Sequence, residues 1–355
     1  MKIGIITMIS DNYGNRLQNY ALQKVLIDLG NDVETLNNPW EIDYNPRIEK
    51  LKSILKKYIF LVTGKPKRYL KKINFENFNK RNIKFSKLWL NKYADRNIAS
   101  DSYDILICGS DQVWNSEASE IDGRYFASFA PEEKRFSYAA SFGIDEVIFE
   151  RRIEFAEYLE GMNKISVREE TGVEIIKQIS SKEAECNVDP TLLLSNLEWS
   201  NLIPKKSPNK KYVFCYFLGD VSSEVYKNIE KFAFDNNLEI NMISNNMEND
   251  LNNVGPEEFL CLIKNANFVF TDSFHGTVFS IIFERPFYVF DRTGVKKGMS
   301  TRITSLLKLL GLNERFNPPT LNNQKMYDID FVKTKEIINN ERKKSIDYLK
   351  MITRN

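Results

Sequence analysis

The feature that most limits what this chain can fold into is a repeated order of strand, polar loop and helix, run through twice. The first series opens with "KIGIITM", a short β-branched apolar run of the kind buried in parallel sheets. The polar loop "SDNYGN" follows. "RLQNYALQKVLIDLG" then places Leu17, Ala21, Leu22, Val25, Leu26 and Leu29 at helical spacing, with Gly30 as the stop. "DVETL" reads as the next strand. The pattern returns at "YDILICGSDQVWN", and "RFSYAASFG" and "KISVRE" read as further strands. "FERRIEFAEYLEGM" and "ETGVEIIKQI" read as helices around the second of these, and "AECNVDPTLLL" as a short strand with a Pro-marked turn.

"SNLEWSNLIPKKSPNKK", residues 195–211, is polar and carries two prolines, so the linker falls there. A second series follows: strand "YVFCYFLG", helix "SSEVYKNIEKFAFDN", strand "LEINMIS", helix "PEEFLCLIKNA", strand "NFVFTD", helix "GTVFSIIFE" and strand "FYVF". "RITSLLKLLG" is a helix, and a long amphipathic helix runs from about Phe331 to Met351. Two such series predict an α/β protein of two Rossmann-like domains facing a cleft. The expected boundaries are 1–195 for the first domain, 211–325 for the second, and 326–355 for a C-terminal helix packing back on the first.

Charge is uneven. Lys and Arg number 50 against 48 Asp and Glu, a formal net charge of +2, so the chain as a whole implies no nucleic-acid partner. Between Arg47 and Lys87, however, 14 Lys or Arg stand against two acids, Glu49 and Glu76. "RIEKLKSILKKYIFLV" and "KRYLKKINFENFNKRNI" both have helical periodicity within it. The segment reads either as a solvated helical insertion or as a patch for an anionic membrane surface, with "YIFLV" as the inserting part. Cys108, Cys186, Cys215 and Cys261 are far apart, and with a single histidine they make no zinc set. Their usage suits a reducing cytoplasm. The opening residues turn polar too soon for a secretory signal, and no apolar run reaches the ~20 residues of a membrane span. The expected location is the cytoplasm, with peripheral attachment to the inner face of the membrane.

Ligands of open α/β sheets bind beyond the carboxyl ends of strands, so the strand-to-helix loops should carry the chemistry. "TDSFHGTVFS" holds His275, the one histidine of the chain, between an apolar strand and an apolar helix. Asp272 or Ser273 can cap that helix, Gly276 would let a ligand approach the backbone, and the first-turn N–H groups suit a phosphate or carboxylate. The imidazole is either a proton-transfer group at that rim or a core side chain bonded to backbone. In "SDNYGN", Asn12, Gly14 and Asn15 either line a site or merely form a turn. "CGSDQVWN" offers Ser110, Asp111 and Gln112 as a ligand loop, or a capped helix start with Trp114 in the core. Arg168 of "SVRE" either clamps an anion in bidentate fashion or pairs with Glu169 or Glu170. The phosphate loop G-x-x-x-x-G-K-[ST] and the fingerprint G-x-G-x-x-G are both absent.

Six segments together, "DNYGNRLQNYALQKVL", "GSDQVWN", "SYAASFG", "SVRE", "VDPTLLL" and "TDSFHGTVFSIIFERPF", resemble the polysaccharide pyruvyl transferase family in order and spacing up to about Gly311. The resemblance implies a fold similar to the glycosyltransferase B type. It also implies transfer of a pyruvyl group from phosphoenolpyruvate to two hydroxyls of a sugar, forming a cyclic ketal. It makes His275 catalytic and Arg168 a donor-binding residue. Some members carry Arg where this chain has Ser273, and Arg302 of "STRI" is the candidate to supply that charge. The expected donor site is therefore Arg168, Ser273, Gly276, Thr277 and Arg302. The expected acceptor site is Asn12, Asn15, Asp111 and Gln112, with no metal and no cofactor beyond phosphoenolpyruvate as co-substrate. The acceptor is a sugar, with a lipid-linked oligosaccharide as the form that would make membrane docking useful. Two rival readings remain: a nucleotide-sugar glycosyltransferase of the same architecture, and a non-catalytic scaffold of envelope polysaccharide assembly.

Overall fold

A computed structural model describes residues 1–39, 67–204, 210–244, 250–292, 301–321 and 323–354, together with 45, 48, 51 and 55. Of the basic insertion expected at 47–87, most of 47–66, including "YIFLV", lies outside the described residues, as does part of the linker.

The chain divides into two compact units. One comprises residues 1–69, 76–193 and 341–355, and the other residues 70–75 and 194–340.

The first unit is built on strands β1 (Lys2–Ile6), β2 (Asp32–Asn37), β3 (Phe85–Trp89), β4 (Ile105–Cys108) and β5 (Arg135–Ser137). They form one sheet in the order β3-β2-β1-β4-β5, and every pair in it is parallel. Parallel strands need crossovers, which explains the intervening helices α1 (Tyr13–Asp28), α2 (Lys67–Asn82) and α3 (Tyr93–Ser102). Strand β4 is buried at every residue, as its unbroken apolar run "ILIC" requires. Next come α4 (Arg152–Glu160), β6 (Ile165–Val167), α5 (Glu170–Ile179) and β7 (Ala184–Cys186), with β6 and β7 paired in parallel. Trp114 stacks on Phe126 at 5.0 Å and donates its indole N–H to the Tyr125 carbonyl at 2.9 Å, anchoring the loop after β4.

The second unit holds α6 (Asn196–Ser200), β8 (Tyr212–Phe217), α7 (Ser223–Asp235), β9 (Glu239–Ser244), α8 (Pro256–Lys264), β10 (Phe268–Thr271), α9 (Phe274–Ile282) and β11 (Phe287–Val289). After them come α10 (Thr301–Leu310) and the short α11 (Asn323–Met326). The four strands lie in the order β11-β10-β8-β9, all parallel. Helix α9 is buried at every residue, so it is a core element rather than a surface helix. Trp199 and Phe259 meet its Phe279 edge-on at 5.0 and 6.4 Å.

The terminal helix α12 (Phe331–Ile352) matches the amphipathic segment read from sequence. Its last part belongs to the first unit. There Arg342 donates to the Leu192 carbonyl at 2.8 Å, Tyr348 to the Ser137 carbonyl at 2.9 Å, and Ser345 accepts from the Val188 N–H at 3.2 Å. Among the described residues, no helix is long and apolar enough to cross a membrane.

The cysteines behave as the apolar runs around them imply. Cys108 and Cys215 are fully buried, and burial pushes the Cys108 thiol up to about 12 and Cys215 higher still. Neither is a nucleophile at neutral pH.

Candidate active site

Each of the two larger sheets has one place where chain order reverses, and that is where an open α/β sheet offers a crevice to ligands. In the first unit it lies between β1 and β4. In the second it lies between β8 and β10. The residues singled out from sequence collect at these two places, within their own units.

Beyond β8 and β10, the loop before α9 is held by Asp272. Its carboxylate accepts from the Leu218 and Gly219 N–H groups, both at 2.7 Å, and from Arg292 Nε at 3.3 Å. The stem of Arg292 packs where a Cβ at Gly219 would sit, so that position has to be glycine while the tie is made. Asp272 thus fastens the loop after β8 to the start of α9. Asp272→Ala removes the carboxylate acceptor of two partly buried N–H groups, at about 1 kcal/mol each. Urea unfolding of the variant should show that loss, and amide exchange should quicken at Leu218 and Gly219.

Ser273, not Asp272, caps α9, its Oγ accepting from the Gly276 N–H at 3.3 Å. Gly276 has a packing reason to be small: a Cβ there would run into the Thr271 hydroxyl at the end of β10. Thr277 is fully buried and donates its hydroxyl to the Ser273 carbonyl at 3.0 Å. Ser273, Gly276 and Thr277 therefore build the helix start. His275 lies in the same turn, 6% exposed, with its ring edge-on to Phe274 at 5.2 Å. Arg302, in the first turn of α10, places its guanidinium 5.9 Å from the centroid of the same Phe274 ring. One aromatic ring is thus shared by the imidazole and a cation.

Beside this loop, a pocket of about 410 Å³ starts at Gly219. Tyr226 and Met242 give it apolar wall, and Asp220, Ser223, Lys227 and Glu230 give it polar groups.

In the first unit, Asn12 caps α1, accepting from the Asn15 N–H at 3.3 Å. Asn15 in turn bridges the two loops, accepting from the Ser10 hydroxyl and donating to Asp111 Oδ2. Asp111 has a φ of 76°, and no helix begins at this loop, so the capped-helix alternative does not hold. Gln112 packs against Gly143, where a Cβ would collide with its amide. Gln18 completes the crevice: it donates to Thr7 Oγ1 at 2.9 Å and accepts from the Ser110 N–H at 3.2 Å.

Arg168, expected to bind the donor, lies among carboxylates. Its side chain is 1% exposed, with Nη1 2.8 Å from Asp189, Nη2 3.5 Å from Asp111 and Nε 3.8 Å from Glu169. Burial acts to lower its pKa, and the three carboxylates outweigh burial and raise it. Sequence reasoning gave no role to Asp189 and only a surface pairing to Glu169. Asp189 also accepts from the Thr191 hydroxyl at 2.6 Å and lies 3.3 Å from Ser110 Oγ. Glu169 accepts from Ser141 Oγ at 2.8 Å and from the Phe142 and Gly143 N–H groups at 3.0 and 3.3 Å. The signal for Asp189 was its place in "VDPTLLL"; for Glu169 it was adjacency to Arg168.

The model of the polysaccharide pyruvyl transferase family matches residues 12–294. The chain belongs to that family. The match spans both crevices, from the cap of α1 to just past Arg292. No curated protein sequence matches the chain. Among solved structures, the S. aureus MnaA–UDP co-structure is similar at 10% identity and a TM-score of 0.51, over 98% of this chain and 96% of that one. A Listeria monocytogenes protein assigned as a UDP-N-acetylglucosamine 2-epimerase is similar at 9% identity and a TM-score of 0.50, over 96% and 90%. At these identities the likeness shows the fold alone, and the fold of this polysaccharide pyruvyl transferase family member is of the glycosyltransferase B type.

Proposed function

We propose that the protein transfers the pyruvyl group of phosphoenolpyruvate to two hydroxyls of one sugar, in the assembly of a bacterial-type surface polysaccharide. The observation that supports this reading is the pairing of His275 and Arg302 about Phe274, beside the β8/β10 crevice, with His275 and Phe274 inside the region that matches the family and Arg302 just beyond it. In the proposed reaction His275 gives a proton to the methylene carbon of the enol phosphate. The C2 centre becomes oxocarbenium-like, one sugar hydroxyl adds to it, phosphate leaves, and the second hydroxyl closes the ring. One of the two hydroxyl protons balances the proton taken up by carbon, and the other leaves with phosphate. A placed acid/base of this kind supplies roughly 10²–10⁴-fold. Arg302 would meet the negative charge of the donor as phosphate departs.

The pocket at Tyr226 suits a pyranose ring: apolar wall for the C–H face, and carboxylates of Asp220 and Glu230 to accept from hydroxyls. Asn15, Asp111 and Gln112 are a second set of groups of that kind in the first unit. Arg168, Asp189 and Glu169 then serve by holding the loops in place rather than by touching the donor. A sugar nucleotide as donor draws support from the fold alone. The test is turnover: with phosphoenolpyruvate and a panel of methyl glycosides the protein releases phosphate, and with UDP-N-acetylglucosamine it releases no UDP.

A lipid-linked acceptor would place the protein at an anionic membrane, and the 14 basic residues of 47–87 support that docking. Anionic vesicles should sediment the protein and neutral ones should not. Equal sedimentation with both would remove the membrane from the reading.

A further inference from the structure

Arg16, in the first turn of α1, belongs to neither the expected acceptor site nor the loop network. It is 3% exposed, and among the described residues its Nε and Nη1 atoms have no hydrogen-bond partner. Other buried arginines of the first unit are differently placed. Arg168 meets three carboxylates, Arg124 pairs with Asp122, and Arg135 donates to the carbonyls of Phe126 and Tyr158. Burial holds the Arg16 pKa down at about 10, against the raising influence of Asp11. A guanidinium enclosed without matching acceptors costs stability, and a fold keeps such a cost where a ligand offsets it. The location is independent evidence. Arg16 lies in the first turn of a 16-residue helix, where the dipole favours an anion. That turn follows the loop after β1, at the point where the order of the five-stranded sheet reverses.

We propose that Arg16 and the N-terminal turn of α1 bind a phosphoryl group of a substrate. A phosphoryl group carries several acceptor oxygens and can take a guanidinium and backbone N–H groups together. The inference rests on the proposed pyruvyl transfer, which offers two sources of this chemistry: the phosphate of phosphoenolpyruvate, or the phosphate that links an acceptor sugar to its lipid. It also accounts for why Arg168, already matched by carboxylates, need not be the anion contact of this unit.

The experiment is thermal unfolding of the full chain, as wild type, Arg16→Met and Arg16→Lys, with phosphoenolpyruvate, inorganic pyrophosphate or pyruvate at matched ionic strength. Wild type should be raised by at least one phosphoryl probe and not by pyruvate. A shift with phosphoenolpyruvate assigns the site to the donor, and one with pyrophosphate alone assigns it to the acceptor linkage. Arg16→Met should weaken that binding about tenfold or more, and Arg16→Lys should keep part of it. Without ligand, Arg16→Met should melt no lower than wild type, since it removes an unmatched buried charge. A shift that persists in Arg16→Met, no shift with either phosphoryl probe, or failure of Arg16→Met to fold each overturns the proposal. If phosphoenolpyruvate turns over and its shift ignores Arg16, this inference fails and the pyruvyl-transfer reading stands. If pyrophosphate binds through Arg16 and phosphoenolpyruvate is never consumed, the reading fails and the site stands.

Discussion

Arg168→Ala should cost about 3–5 kcal/mol of unfolding free energy, the range for removing one partner from a buried ionic network. Its removal leaves Asp189, Glu169 and Asp111 close together without the guanidinium they share, and the first two are almost fully enclosed. The damage should spread along the hydrogen bonds these carboxylates make. Asp189 holds the turn at Thr191, and Glu169 holds Ser141 to Gly143. Urea unfolding measures the loss. Pairing Arg168→Met with Asp189→Asn should recover part of it, because the double variant buries less unmatched charge. A donor clamp at Arg168 predicts the opposite pattern: nearly unchanged stability, with a raised KM for phosphoenolpyruvate.

His275→Ala should leave the fold in place and lower turnover by roughly 10²–10⁴-fold, the contribution of a placed proton-transfer group. The surroundings of His275 make a clean separation of these effects feasible. Helix α9 is enclosed on all sides, and Ser273, Thr277 and Thr271 hydrogen-bond at its start. Thermal unfolding of His275→Ala and His275→Gln should therefore stay near wild type while both variants lose activity. A buried imidazole with only a packing role would reverse this, with lower stability and retained turnover per folded molecule.

The strands were legible where apolar residues are continuous. "KIGII", "ILIC" and "YVFCYF" are buried almost throughout and could hardly be read otherwise. Strand β3 was missed because it is an edge strand, "FSKLW", with an exposed lysine and no unbroken apolar run. Helix α3, "YADRNIASDS", was missed because one residue of it is buried, so it has little apolar period to read. In the site, motif positions such as His275 and Arg168 were visible, but what they touch was not. The partners of Arg168 lie 57 and 21 residues away, at Asp111 and Asp189. Nothing local in the sequence sets that distance. Gly276 shows the limit from the other side: the residue was noticed, but the strand-end threonine packed against it was not legible. Arg16 was passed over because a charged residue early in an amphipathic helix ordinarily faces water.

The central claim is tested most directly by following phosphoenolpyruvate with wild-type protein and a panel of methyl glycosides, reading phosphate release together with the proton NMR signal of the new ketal methyl group. The account predicts that phosphate and ketal appear in equal amounts with at least one glycoside, and that His275→Ala gives neither above background. Consumption of a sugar nucleotide in place of phosphoenolpyruvate, or ketal formation by His275→Ala at the wild-type rate, would contradict it.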